Sequence, residues 1–275
     1  MTINSIVHPT DLSEACIPAF AHALRLSLLA KCHLDVVHIV TQRDAEEDLV
    51  PPQVRHTLAL WGLASESDPP ESIGERLNIK VAKLQFSAAD PVSGVIGYLR
   101  RHPSDLVVFA THGREGWMRW TRGSVAETVA ARAHTPSLFF SPTARSFIDE
   151  ATGELLLRRV LLPVDHDPVP GSALPAILDF LKLFGKTELR LVHFGTKAPE
   201  IPSTGEAEDL PAAELLPDPA VEGILGEAER WKADLIIMPT AGHDGFKDAI
   251  SGSTSERVVR HAPCPVLTVP VRHGS

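Results

Sequence analysis

One short phrase occurs twice in the 275 residues, and it restricts the chain to a duplicated architecture. Gly113 is followed by nine residues and then Gly123-Ser124; Gly242 is followed by nine residues and then Gly252-Ser253. An apolar run precedes each copy, Asp105 to His112 in the first and Asp234 to Ala241 in the second. Each copy leads into similar text, with Glu127, Val129 and Pro136 answered by Glu256, Val258 and Pro265. A buried strand, a glycine-rich loop and a helix start bearing Ser form a cradle for phosphate, because backbone N–H groups converge there and the helix dipole favours negative charge. Two such units predict a tandem protein.

The remaining text of the two halves aligns around that phrase. Ile3 to Val7 reads as a buried strand ending in His8-Pro9-Thr10-Asp11, and Val160 to Leu162 as one ending in Pro163-Val164-Asp165, which pairs Asp11 with Asp165. Ser13 is the expected N-cap of a helix over Ala15 to Ala30, and Ser172 precedes a helix over Ala173 to Phe184. Pro18 and Pro175 fall near the two helix starts, where a missing N–H is tolerated. Second strands, Leu34 to Val40 and Leu189 to Phe194, carry His38 and His193 at matching places; within apolar strands both read as core histidines. Asp90-Pro91 and Asp218-Pro219 each predict a helix with Asp as cap and Pro at its first position. Short last strands, Pro136 to Phe140 and Pro265 to Val269, close the halves.

Between the second strand and that helix the halves differ in length. The first has room for a helix near Gln53 to Ala64 and a strand near Ile79 to Phe86. The second offers only 197–217, rich in Pro, Glu and Ala, read as a loop with at most one short strand. The expected organisation is a domain over 1–141, a linker over 142–158 and a shortened second domain over 159–275. Strands alternating with helices predict, in each domain, a parallel sheet covered on both faces. Ligands of such open doubly wound sheets bind beyond the carboxyl ends of the strands, at the switch point. Asp11 and Gly113 lie at such ends, and so do Asp165 and Gly242.

Composition excludes several classes. A net charge of -9 argues against a general nucleic-acid binder, which needs a basic face. Cys16, Cys32 and Cys264 are widely spaced and form no Cys-x-x-Cys pair, so neither a disulfide framework nor a zinc ribbon is expected. The start shows no basic segment followed by an apolar core, and no apolar run approaches the roughly 18–20 residues of a membrane span. The expectation is a soluble cytoplasmic protein without a membrane partner. No Ser-His-Asp elbow is visible, and neither glycine loop has a Lys before its Ser, so no catalytic residue is assigned.

In Pro9-Thr10-Asp11, Val37-His38-Ile39 and Ala110-Thr111-His112-Gly113 with Gly123-Ser124, the chain resembles the universal stress protein family in its tandem form. The second copy of that resemblance is Pro163-Val164-Asp165, Val192-His193-Phe194 and Pro239-Thr240-Ala241-Gly242 with Gly252-Ser253. The resemblance implies a five-stranded parallel sheet in each domain and, in a subset of members, ATP or another adenine nucleotide as ligand, with or without Mg. It places adenosine beside Asp11 and the Ile39 backbone near the base, with Pro9, Thr10 and Ala110 around them. Gly113, Gly123, Ser124 and Val125 would hold phosphate. By the same mapping the second site is Asp165, Phe194, Gly242, Gly252, Ser253 and Thr254. The family's last strands pair across a two-fold axis, so an intramolecular pseudo-dimer is implied through Ser137 to Phe140 and Val266 to Val269; a homodimer is also open.

Both halves depart from the family pattern at its first glycine, which is Ala110 in one and Pro239 in the other. If that position required positive φ, Ala would cost roughly 1–2 kcal/mol and Pro would be excluded. Arg114, Arg119 and Arg122 flank the first loop, with Trp117 and Trp120 between them; they either meet phosphate and base or serve as surface charge and loop packing. In the second half, His166, Asp167, His243 and Asp244 fall at neighbouring strand ends, as candidate divalent-ion ligands or as plain loop polar groups. Three functions fit: a stress-response protein signalling through bound nucleotide, a scaffold whose loops bind nothing, and a slow nucleotide hydrolase.

Overall fold

A computed structural model describes residues 2–40, 50–111, 129, 134–201, 210–241 and 254–271. Ten strands form one sheet: β1 (Ser5–Pro9), β2 (His33–Val40), β3 (Lys80–Ser87), β4 (Leu106–Ala110), β5 (Ser137–Phe140), β6 (Arg159–Pro163), β7 (Glu188–Phe194), β8 (Glu214–Leu216), β9 (Leu235–Ala241) and β10 (Val266–Val271). Their order is β3-β2-β1-β4-β5-β10-β9-β6-β7-β8. Each half is thus a five-stranded parallel sheet of the same order, and the halves meet through the antiparallel β5–β10 pair, where Leu138 faces Leu267. The helices are α1 (Ile17–Ala30), α2 (Val54–Leu60), α3 (Pro70–Leu77), α4 (Pro91–Arg101), α5 (Leu174–Lys182), α6 (Ala220–Arg230) and α7 (Thr254–His261).

Strands buried on both faces read as largely apolar runs, and the central ones do, with His8 on β1 and Ser137 on β5 as buried polar exceptions. Side chains alternate between two cores. Ile6, Val36, Val108 and Leu138 meet α1, α2, α3 and α5 on one face. Val7, Val37, Val107 and Phe139 meet α4, α6 and α7 on the other. One device recurs at the amino end of each half. Asp105 Oδ2 accepts from the N–H groups of Asn4 and Ser5, at 2.8 and 3.1 Å, and Asp234 Oδ2 from those of Arg158 and Arg159, at 2.8 and 2.9 Å.

Three local expectations need correction. The first half contains two helices, α2 and α3, where the sequence predicts one over Gln53 to Ala64. Pro70 at the start of α3 and Asn78 in the left-handed conformation at its end are ordinary punctuation, and Ile73 is its one buried anchor. Asp218 caps nothing: α6 begins at Ala220, behind Pro219, without a side-chain cap. The helices register on Gly94 with Gly223, not on their Asp-Pro pairs. Asp90 does cap α4, accepting from the Ser93 N–H at 2.9 Å. Ser13 makes no cap bond and precedes a 3-10 turn over Glu14–Cys16, so α1 starts at Ile17. Ser172 likewise lies in a 3-10 turn, and α5 starts at Leu174. The stretch 142–158, expected as a linker, carries Phe147 and Ile148 fully buried in the α1 core.

Two histidines are sealed in that core. The Nδ1–H of His8 donates to the Val108 carbonyl at 2.9 Å, and that of His22 to the Pro18 carbonyl at 2.6 Å, with the His22 ring against Phe140 and Phe147. Burial holds their pKa values down, to about 4 for His8 and about 3 for His22. The unfolded chain takes up these protons near its ordinary value while the native state does not. Stability is therefore complete above about pH 6.5 and falls as the pH drops towards 4, each histidine contributing about 2 kcal/mol of loss at pH 5. Urea unfolding at pH 7 and pH 5 should show a steeper loss for the natural chain than for a His8→Leu/His22→Leu variant, by about 4 kcal/mol. Identical pH dependence would contradict the assignment.

Candidate functional site

β1 pairs with β2 on one side and β4 on the other, so the crevice where strand order reverses opens at its carboxyl end. Asp11 sits there, half-buried, in a tightly bonded turn. The Thr10 N–H donates to the Val37 carbonyl and the His38 Nδ1–H to the Thr10 carbonyl, both at 2.9 Å. Leu12 follows in the left-handed region, at φ 64, its N–H donating to Thr10 Oγ1 at 3.0 Å. Asp11 Oδ1 accepts from the Ser13 N–H at 2.9 Å and from the Cys16 thiol at 3.1 Å. Burial, and then the Asp11 charge, push that thiol up to about 11.

Across the crevice β4 ends at Ala110. Thr111 is tied to β5, its N–H and Oγ1 both donating to the Phe140 carbonyl at 2.9 and 3.2 Å. Ile39 is buried at the end of β2, and a Cβ on Gly94 would stand 2.8 Å from it, so α4 rests its backbone on the residue expected near a base. Gly113, Gly123, Ser124 and Val125, with Arg114, Trp117, Arg119, Trp120 and Arg122, lie outside the described residues.

The second half repeats the clamp and changes what surrounds it. The Val164 N–H donates to the Val192 carbonyl at 2.9 Å and the His193 Nδ1–H to the Val164 carbonyl at 3.0 Å. Asp165 is exposed, and its Oδ1 accepts from the His166 N–H at 2.7 Å. The His166 Nε2–H donates to the Lys197 carbonyl at 2.9 Å, and its ring stands edge-on to His193. Phe194 replaces Ile39, and Gly223 leaves room for its ring. Thr254 is the exposed first residue of α7. Gly242, His243, Asp244, Gly252 and Ser253 lie outside the described residues. Asp167 is exposed, and among the described residues no three His, Cys, Asp or Glu side chains gather into a metal-binding group.

Neither Ala110 nor Pro239 has positive φ, so the conformational cost weighed for the first-glycine position does not arise at either residue. Reading the residues singly missed the parts that hold the aspartates: His38, His193, Cys16 and Leu12. The matched histidines were the available signal. Nothing in the text marks Leu12 or Cys16, because their roles depend on the turn.

The three thiols are buried, and burial raises Cys32 and Cys264 to about 12. Since the thiolate is the reactive form, the folded protein should react slowly with an aromatic disulfide reagent at pH 8, and urea should release three fast-reacting thiols. A fast thiol before denaturant would show that at least one of the three is not buried as described.

These features define a class: a duplicated, doubly wound parallel α/β protein with an aspartate at each switch point. The profile described as "Universal stress protein family" matches residues 2–140 and 212–270, and the chain belongs to that family. It is 45% identical over 56 residues to a universal stress protein of Methanocaldococcus jannaschii and 47% identical over 55 residues to one of Thermus aquaticus. Each stretch is 20% of this chain and spans only 33% and 40% of those relatives. Two solved structures share the fold over the whole length. A universal stress protein from Archaeoglobus fulgidus has a TM-score of 0.64 at 21% identity, covering 98% of this chain and 96% of that one. A functionally unknown protein from Pseudomonas aeruginosa has a TM-score of 0.65 at 16% identity, covering 98% and 93%. No described helix is long and apolar enough to cross a membrane.

Proposed function

We propose that the first half binds an adenine nucleotide, ATP foremost, with or without Mg, and that the protein signals a stress state through the bound form. The carrying observation is Asp11, fixed at the switch point between a clamped Thr10 and a left-handed Leu12. A carboxylate held there accepts hydrogen bonds from ribose hydroxyls or an adenine amino group, and the chain leaving β4 supplies backbone N–H groups to phosphate. Pro9, Thr10, Asp11, Ile39 and Ala110 are the proposed adenosine side, and Gly113, Gly123, Ser124 and Val125 the phosphate side. Asp165, Phe194, Gly242, Gly252, Ser253 and Thr254 are the corresponding second set, with Asp165 less restrained than Asp11. We assign the units 1–141 and 159–275, working in the cytoplasm as a pseudo-dimer by conformation or association. No residue is proposed for turnover.

Calorimetric titration with ATP tests this reading. The natural chain should bind, while Gly123→Val and Asp11→Ala should each bind at least about tenfold more weakly, the scale of a lost charge-assisted bond or a blocked backbone approach. Equal affinity in all three would end the assignment. Absence of any heat would favour the scaffold reading, and accumulation of ADP with time the hydrolase.

A further inference from the structure

We propose that His38 is a positioning residue for the nucleotide site, fixing the Asp11 turn through its Nδ1–H bond to the Thr10 carbonyl; this rests on the nucleotide reading above. A carbonyl can only accept, so the bond requires the proton on Nδ1. The ring is buried, and Nε2 has no partner among the described residues. The single made bond is therefore the polar role the structure gives this side chain. It completes a two-point grip: β2 holds Thr10 by its N–H through Val37 and by its C=O through His38. The residue after a gripped Thr10 cannot rotate freely, and it is Asp11.

Two further observations separate this from ordinary core filling. The grip occurs twice, as His38 on Thr10 and His193 on Val164, although little around it matches. The gripped residues differ, the turns differ, and the aspartates differ in exposure; what persists is a histidine one strand over, bonded to the carbonyl preceding the aspartate. In addition, the first-half turn is strained. Leu12 is a non-glycine residue at φ 64, which surrounding bonds must hold. Its N–H bonds Thr10 Oγ1 and the next N–H bonds Asp11 Oδ1, so both bonds depend on where the Thr10 peptide is placed.

The test compares His38→Leu, which removes the donor, with His38→Asn, whose amide nitrogen stands where Nδ1 stood. His38→Gln, which puts its nitrogen at the Nε2 end, replaces the Leu variant if that one does not fold. Two readouts are taken on full-length protein: amide hydrogen exchange of Leu12 and Ser13 without nucleotide, and ATP affinity by calorimetry. The expected result is exchange at those two amides faster by about tenfold and ATP affinity weaker by about tenfold in the Leu or Gln variant, the scale of one hydrogen bond. β5 amides should be unchanged, and Asn should restore both readouts. Unchanged exchange at Leu12 and Ser13 overturns the proposal, as does faster exchange with unaltered ATP affinity, or failure of Asn to rescue. If the natural chain itself binds no ATP, the nucleotide reading fails; Asn-rescued exchange confined to these two amides then still upholds His38 as the residue that sets the turn.

Discussion

Everything else in the molecule depends on the antiparallel pairing of β5 with β10. Each is the last strand of its half, and unpaired each would be an apolar edge open to aggregation. Joined, they turn two five-stranded sheets into one of ten and relate the halves by a two-fold axis normal to the sheet. Such an axis reverses strand direction but keeps each face on its own side. Hence α1 and α5 share one core and α4 and α6 the other, and neither core is interrupted at the junction. It also sends the carboxyl ends of β1 and β6 to opposite edges, so the two candidate sites are separate. Residues 141–150 clasp the junction. Ser141 Oγ donates to the Ala262 carbonyl, and the Arg145 N–H to that of Pro263. The Arg145 guanidinium holds Glu229 and the Ala233 carbonyl, and Phe147 packs edge-on to both His22 and Phe184.

Within that symmetry the halves solve one packing problem with different chemistry. The second strand faces the helix ahead of the glycine loop, and one strand–helix contact in each half is polar. In the first it is Tyr98 on α4, whose hydroxyl donates to Asp35 on β2 at 2.6 Å; His33 holds the other carboxylate oxygen at 2.6 Å. Burial and Asp35 together raise the Tyr98 pKa, so the hydroxyl stays a donor. In the second half the equivalent residues are Glu227 on α6 and Arg190 on β7. Glu227 is fully buried and paired with Arg190 and Arg230, while Arg190 also binds Glu214 on β8 and lies over the Trp231 ring. Removing one partner from a buried ion pair costs about 3–5 kcal/mol, whereas the bond of the Tyr98 hydroxyl to a carboxylate is worth about 1.5–3 kcal/mol. The charged version makes the shortened half more dependent on a single network, and through Glu214 that network adds to the backbone ladder by which the three-residue β8 pairs with β7.

The sequence made the repeat, the sheet class and the order of most elements legible, because each rests on a local signal; the β5–β10 pairing followed from the family resemblance and not from the residues themselves. Buried strands read as apolar runs, and duplicated Gly-Ser loops fix the register of the halves. What was not legible depended on pairing across the fold. Asp90 and Asp218 look equivalent as dipeptides, yet the helices register one residue apart, because Gly94 and Gly223 must sit against Ile39 and Phe194. Ser13 looks like a cap, yet its hydroxyl donates to the Cys16 sulfur at 3.8 Å and the Cys16 N–H bonds the Ser13 carbonyl, closing a 3-10 turn that only the fold of the segment decides. The aspartates were found from their place after β1 and β6. Their supports were not, since a histidine in an apolar strand has the same appearance whether it fills space or holds a carbonyl.

The two switch points carry unequal restraint, and the difference arises beneath the aspartates. Under Asp11 stand His8 on β1 and Cys16 at the N-cap of α1; the corresponding places in the second half are Leu162 and Ala173, the N-cap of α5. Two polar groups in the first core are thus exchanged for two apolar ones in the second. A neutral histidine whose Nε2 has no partner among the described residues lowers stability relative to leucine. What the first half gains is a carboxylate bonded by thiol and backbone and kept half-buried, so the proposed ligand would meet it already oriented and less freedom would be lost on binding. The second half gives up that orientation and keeps an apolar floor beneath an exposed Asp165. Two bonds of the first turn thus have no counterpart in the second: Cys16, which bonds Asp11, is answered by Ala173, and Thr10, whose Oγ1 accepts from the Leu12 N–H, by Val164.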